Sequence, residues 1–135
     1  MWYVLEDTIP ANTAYADRRE TSIKVSGGIL HSIYVTIPPG SKTNANLQLR
    51  KASYFILPRN EDKSITGEHI NTLYREWFEM QAAENTLTLV TWNTSTNNDH
   101  TVRLLVGVLP KAVLEVEEQY LKTLRMFMNL FRRRT

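Results

Sequence analysis

The chain contains no cysteine. This excludes a disulfide framework, a thiolate metal site and a cysteine nucleophile, and it leaves the redox compartment unmarked. Strong charge of either sign is also lacking: 16 Lys and Arg stand against 14 Asp and Glu, a net +2. That balance is too small to argue for a nucleic-acid partner. Apolar runs are short, and none approaches the roughly 18 consecutive residues of a bilayer span. The opening Met1-Trp2-Tyr3-Val4-Leu5 has neither a basic region nor a long apolar stretch, so no signal peptide is expected. No internal repeat, low-complexity tract or linker is visible. What is present is 135 residues of ordinary globular composition, 42% hydrophobic and 22% charged. That is one domain, with enough chain to bury a core unaided.

The placement of charge is more informative than its sum. Residues 1–109 hold ten Lys and Arg against eleven Asp and Glu, a net −1, while residues 110–135 hold six against three, a net +3. Arg132, Arg133 and Arg134 supply most of the excess. Such a terminus suits an acidic surface or complements the negative end of a helix dipole.

Several segments alternate with the period of a strand. Ile29 to Ile37 puts Ile29, His31, Ile33, Val35 and Ile37 on one face. Thr21 to Val25 alternates as well, and Gly27-Gly28 between the two predicts a hairpin. Ala45 to Arg50 aligns Leu47 with Leu49, and Tyr54 to Leu57 is a short apolar run ending at Pro58. Thr86 to Trp92 and His100 to Leu109 read as two further strands, the second with Val102, Leu104, Val106 and Val108 on one face. Asn71 to Met80 fits either a helix or a strand. Short alternating strands separated by turn clusters predict a mainly β fold, an antiparallel β-sandwich of jelly-roll type. Trp77 and Trp92 are expected in its core, because large aromatics dominate cores.

The pattern changes at Pro110, which suits a first helical position. Lys111 to Arg134 reads as one long helix, with Glu115, Glu117 and Glu118 early and the arginines late. Leu114, Leu121 and Met128 recur every seven residues, Leu124 and Phe131 fill between them, and Val113, Tyr120 and Phe127 widen the stripe. A helix so apolar on one side needs a surface to cover it. The expected division is therefore an N-terminal arm over residues 1–20, which reads equally as an edge strand of the sandwich, a β-sandwich over 21–110 and an amphipathic helix over 111–135. Trp2 and Tyr3 on the arm join the helix residues as expected partner contacts.

Reactive constellations are sparse. His31, His69 and His100 are far apart, with no metal-ligand spacing among them. Gly67-Glu68-His69 and Asn98-Asp99-His100 each set a carboxylate beside a histidine, but neighbours on a strand point to opposite faces. Glu76 and Glu79 flank Trp77-Phe78 and read as solvated charges beside a core pair. No catalytic residue, cofactor or metal is expected. Lys and Arg are scattered over the β body without a basic stripe, so nucleic acid is not an expected partner.

From about Thr21 to Pro110 the chain resembles small β-sandwich structural proteins of tailed phages, similar to head decoration proteins. The residues that carry the likeness begin with Gly28-Ile29-Leu30-His31 leading into Val35-Thr36-Ile37-Pro38-Pro39-Gly40. Phe55-Ile56-Leu57-Pro58-Arg59-Asn60 and Gly67-Glu68 follow. Leu89-Val90-Thr91-Trp92-Asn93, His100-Thr101-Val102 and Val108-Leu109-Pro110 complete it. The resemblance implies a non-enzymatic virion component made in the host cytoplasm, a homo-oligomer with a trimer favoured, and capsid or other virion proteins as partners. The C-terminal helix lies outside the likeness and is expected to be the attachment device. The alternative reading is a receptor- or glycan-binding module of a phage tail or surface structure, marked by clustered aromatics away from the helix. Membrane contact by the helix is the less favoured third.

Overall fold

The computed structural model describes residues 1–133, with the backbone alone for helix residues 111–115, 117 and 133. The protein is mainly β with one C-terminal helix. The strands are β1 (Trp2–Ile9), β2 (Arg19–Ile37), β3 (Ala45–Lys51), β4 (Tyr54–Leu57), β5 (Ile65–Thr66), β6 (Ile70–Asn93) and β7 (His100–Pro110), and the helix is α1 (Lys111–Arg133). A 3₁₀ turn, Tyr15–Asp17, precedes β2. All pairings are antiparallel in one seven-stranded sheet of order β1-β7-β2-β6-β3-β4, with β5 on β3.

That one sheet becomes a sandwich because its two longest strands bend. β2 and β6, of 19 and 24 residues, pair along their whole lengths but lose register between Ser26 and Gly28. On one side of the bend, β1, β7, residues 28–37 of β2 and residues 70–80 of β6 form a first layer. On the other side, residues 19–26 of β2, residues 84–93 of β6, β3 and β4 form the second. At the bend, a Cβ on Gly27 would meet the Ala82 carbonyl oxygen, and only glycine lets the strands cross so closely. The expected hairpin at Gly27-Gly28 is thus a bend inside one continuous strand. The glycines serve backbone approach, not a turn.

Leu5, Ile9, Ile33, Val35, Ile37, Leu47, Leu49, Leu87 and Leu89 fill the space between the layers with Val102, Leu104, Val106 and Val108. Each large side chain so buried contributes about 1.5–3 kcal/mol relative to exposure. The β7 and β3 periodicities hold residue for residue. The β2 pattern is broken by a bulge: His31 is an extra residue between the pairs Leu30–Val108 and Ser32–Gly107. Parity reverses there, so Leu30 joins Ile33 in the core and His31 turns outward. The core position expected for His31 is corrected accordingly. It hydrogen-bonds Ser32 Oγ at 2.8 Å and meets the Trp2 ring edge-on at 5.8 Å.

Three further points are decided by the fold. Asn71 to Met80 is strand, as the first half of β6. Pro110 closes β7 opposite Gly28, and the helix begins at Lys111. Residues 2–9 are not a free arm but an edge strand paired with β7 from Trp2–Gly107 to Ile9–His100. Polar contacts tie β1 to the second layer: Thr91 Oγ1 donates to Asp7 at 2.7 Å and Asn93 Nδ2 to the Ile9 carbonyl at 3.1 Å, both buried, and the half-exposed Arg19 donates through Nε to the Asp7 carboxylate at 3.0 Å.

Candidate attachment surfaces

Helix α1 runs about 34 Å at 1.5 Å rise per residue, and its main contacts with the body are to β2 and β7. At 100° per residue, Val116, Tyr120, Leu121, Leu124, Phe127, Met128 and Phe131 share an arc of about 140°. All seven are exposed, with Tyr120 at 67%, Phe127 at 58% and Phe131 at 60%. Phe127 and Phe131 meet edge to face at 5.0 Å. The opposite side carries Glu118, Lys122, Arg125, Asn129 and Arg132. Of the expected partner contacts, Tyr120, Leu121, Leu124, Phe127, Met128, Phe131 and Arg132 therefore lie on an exposed helix. The side chains of Leu114 and Arg133, and all of Arg134, lie outside the described residues.

The first layer adds a second surface. Val4, Leu105, Tyr34 and Leu73 are register neighbours across β1, β7, β2 and β6 and form an apolar row on its outer face. Trp2 and Trp77, 56% and 62% exposed, stand beside the row. Trp2 lies over Gly107, where a Cβ would come within 3.0 Å of the indole and 2.9 Å of His31 Cε1. Tyr3 does not belong to this surface: it is half-buried against the core, and its hydroxyl pairs with Ser26 Oγ at 3.2 Å. Of the two contacts expected on the arm, Trp2 is exposed and Tyr3 sits on the inner side of β1.

Neither tryptophan expected in the core is there. In the first half of β6 the even residues Tyr74, Phe78 and Met80 face inward, and beyond the bend the odd residues Leu87, Leu89 and Thr91 do. Trp77 is odd in the first half and Trp92 even in the second, so both face outward. No local pattern reveals this, because the reversal depends on the bend between them.

The carboxylate–histidine neighbours serve the backbone. Glu68 accepts hydrogen bonds from the Gly40 and Lys42 amides at 2.5 and 2.8 Å, and these hold its carboxyl below the usual range. Asp99 accepts from the Ala11 amide at 2.9 Å. Glu76 accepts from Arg59 at 2.9 Å and raises that guanidinium's pKa. Among the described residues no three His, Asp or Glu side chains group to hold a metal ion, and no helix is long and apolar enough to cross a membrane.

No family model matches the chain, and no curated protein does. Among solved structures, it is similar to the pre-peptidase C-terminal domain of collagenase from Bacillus anthracis, at 14% identity and a TM-score of 0.41 over 78% of this chain and 88% of that one. FlhE matches at 12% identity and a TM-score of 0.37 over 78% of this chain and 95% of that one. The secreted serine protease VesC from Vibrio cholerae matches at 14% identity and 0.35 over 80% of this chain but only 21% of that one. At these scores the likenesses carry no argument about activity.

Proposed function

We propose that this chain is a non-enzymatic structural subunit that joins a larger assembly through α1. The observation that carries the reading is an apolar helix arc left exposed along its described length, on a body whose own core is complete without it. Apolar patches of this extent mark interaction sites. The apolar row on the first layer gives neighbouring subunits a second surface, which supports a homo-oligomer; the preference for a trimer rests on the family resemblance. The assembly that the family resemblance suggests is a virion, with capsid proteins as partners and a decoration or stabilising role.

The test is a chain ending at Pro110. It is expected to stay folded, because the core cluster lies wholly within residues 5–108, but to lose self-association in light scattering and to lose binding to its particle. Unchanged mass and binding would end the role given to α1. Co-sedimentation of the full chain with liposomes, lost on the same truncation, would instead place the helix at a membrane interface.

A further inference from the structure

The outer face of the second layer carries a groove with different chemistry. Its floor is Val90, Gln48 and Arg50, which are register neighbours on β6 and β3. One wall is the 3₁₀ turn, with Tyr15 set edge-on to Trp92 at 4.9 Å and Arg18 stacked 4.6 Å above the Tyr15 ring. The other wall is the loop of residues 59–64. Gln48, only 2% exposed, pins that loop by donating through Nε2 to the carbonyls of Glu61 and Lys63 at 3.0 and 2.6 Å. Glu61 and Asp62 of the pinned loop line a cavity of 410 Å³ with Tyr15, Gln48 and Trp92, and a second of 210 Å³ adjoins it at Val90, Arg50 and Arg18. The larger falls within the size range of small-ligand sites.

We infer that this groove binds a neutral oligosaccharide. A pyranose ring presents an apolar C–H face and an edge of hydroxyls. The Tyr15–Trp92 corner offers aromatic surface to the face, and Glu61 and Asp62 offer acceptors to vicinal hydroxyls. Other ligand classes fit less well. Anions are opposed by Glu61 and Asp62, and both arginines of the groove are engaged, Arg50 with Glu20 at 2.6 Å and Arg18 on the Tyr15 ring. A cation would compete with Arg18, which covers one face of the Tyr15 ring and leaves the residue 49% exposed. An extended peptide would need a free strand edge, whereas the floor is the face of strands paired on both sides. None of the residues lining the groove belongs to α1, so the glycan and the helix use different side chains.

The experiment is saturation-transfer NMR on the full chain, with neutral mono- to tetrasaccharides of glucose, galactose, mannose and N-acetylglucosamine and with sulfated and sialylated counterparts. Saturation is expected on the ring protons of one sugar face, and titration of the best sugar gives its affinity. The variant E61Q/D62N, made at two exposed positions, is expected to keep the native circular dichroism and melting temperature. It should weaken binding about tenfold through loss of charged acceptors. Tyr15→Ala should weaken it at least as much. No transfer to any sugar of the panel, preference for a sulfated or sialylated sugar, or binding unchanged in both folded variants would overturn the assignment. Loss of assembly in the chain ending at Pro110 has no bearing on this result, so the two readings fail separately.

Discussion

Gly27 and Glu68 show how single residues shape this fold. A methyl group on Gly27 would lie 2.2 Å from the Ala82 carbonyl oxygen, a backbone atom that cannot rotate away. Gly27→Ala is therefore expected to cost about 3 kcal/mol, the upper end of the overpacking range, read as a shifted urea midpoint. A cost below about 0.5 kcal/mol would show that the bend tolerates a side chain. Glu68 acts through charge. Its carboxylate joins two loops by accepting the Gly40 and Lys42 amides, and those bonds lower its pKa in the folded state. A folded pKa below the unfolded one contributes stability that is complete above the ordinary carboxylate range and is lost as pH falls through the lowered value. Amide exchange at Gly40 and Lys42, corrected for intrinsic pH dependence, should accelerate in that acid window. In Glu68→Gln the acceleration should be absent.

Among the elements, β1 and α1 behave in opposite ways. β1 is an edge strand whose Leu5 and Ile9 are buried in the shared core. Leu5→Ala is expected to cost about 2–5 kcal/mol, measured by denaturant unfolding. Deleting residues 1–9 should do more, because it bares the hydrogen-bonding edge of β7 as well as the core, and aggregation is the expected outcome. A stable, monodisperse deletion would mean that β1 is dispensable. The described side chains of α1 are all exposed, so charged substitutions there cost the body's core nothing. Leu121→Glu combined with Leu124→Glu should leave the thermal midpoint of the β body in place and reduce the solution mass to that of a monomer.

In the whole molecule these elements amount to a self-sufficient β body with two outward surfaces, an apolar one at α1 and the first layer and an aromatic, acidic one on the second. Much of the body was legible before any coordinates. Val102 to Val108 and Leu47 with Leu49 alternate without interruption, and the pleat sends them to one face wherever the strand lies. The helix was legible for the same reason, since its apolar arc follows from 3.6 residues per turn. The groove was not: Tyr15, Gln48, Glu61 and Trp92 are brought together by strand pairing and by a side chain holding a distant loop, and no spacing along the chain encodes that. The amino-acid sequence by itself determined the strand-rich core, the C-terminal helix and the split between a slightly acidic body and a basic end, because periodicity and composition are local properties. Only the tertiary structure decided that β1 is a strand rather than an arm, that His31 and both mid-chain tryptophans face outward, and that one sheet makes both layers. Each of these rests on a bulge, a bend or a partner strand, and such features change which side of a strand is inside without changing its alternation.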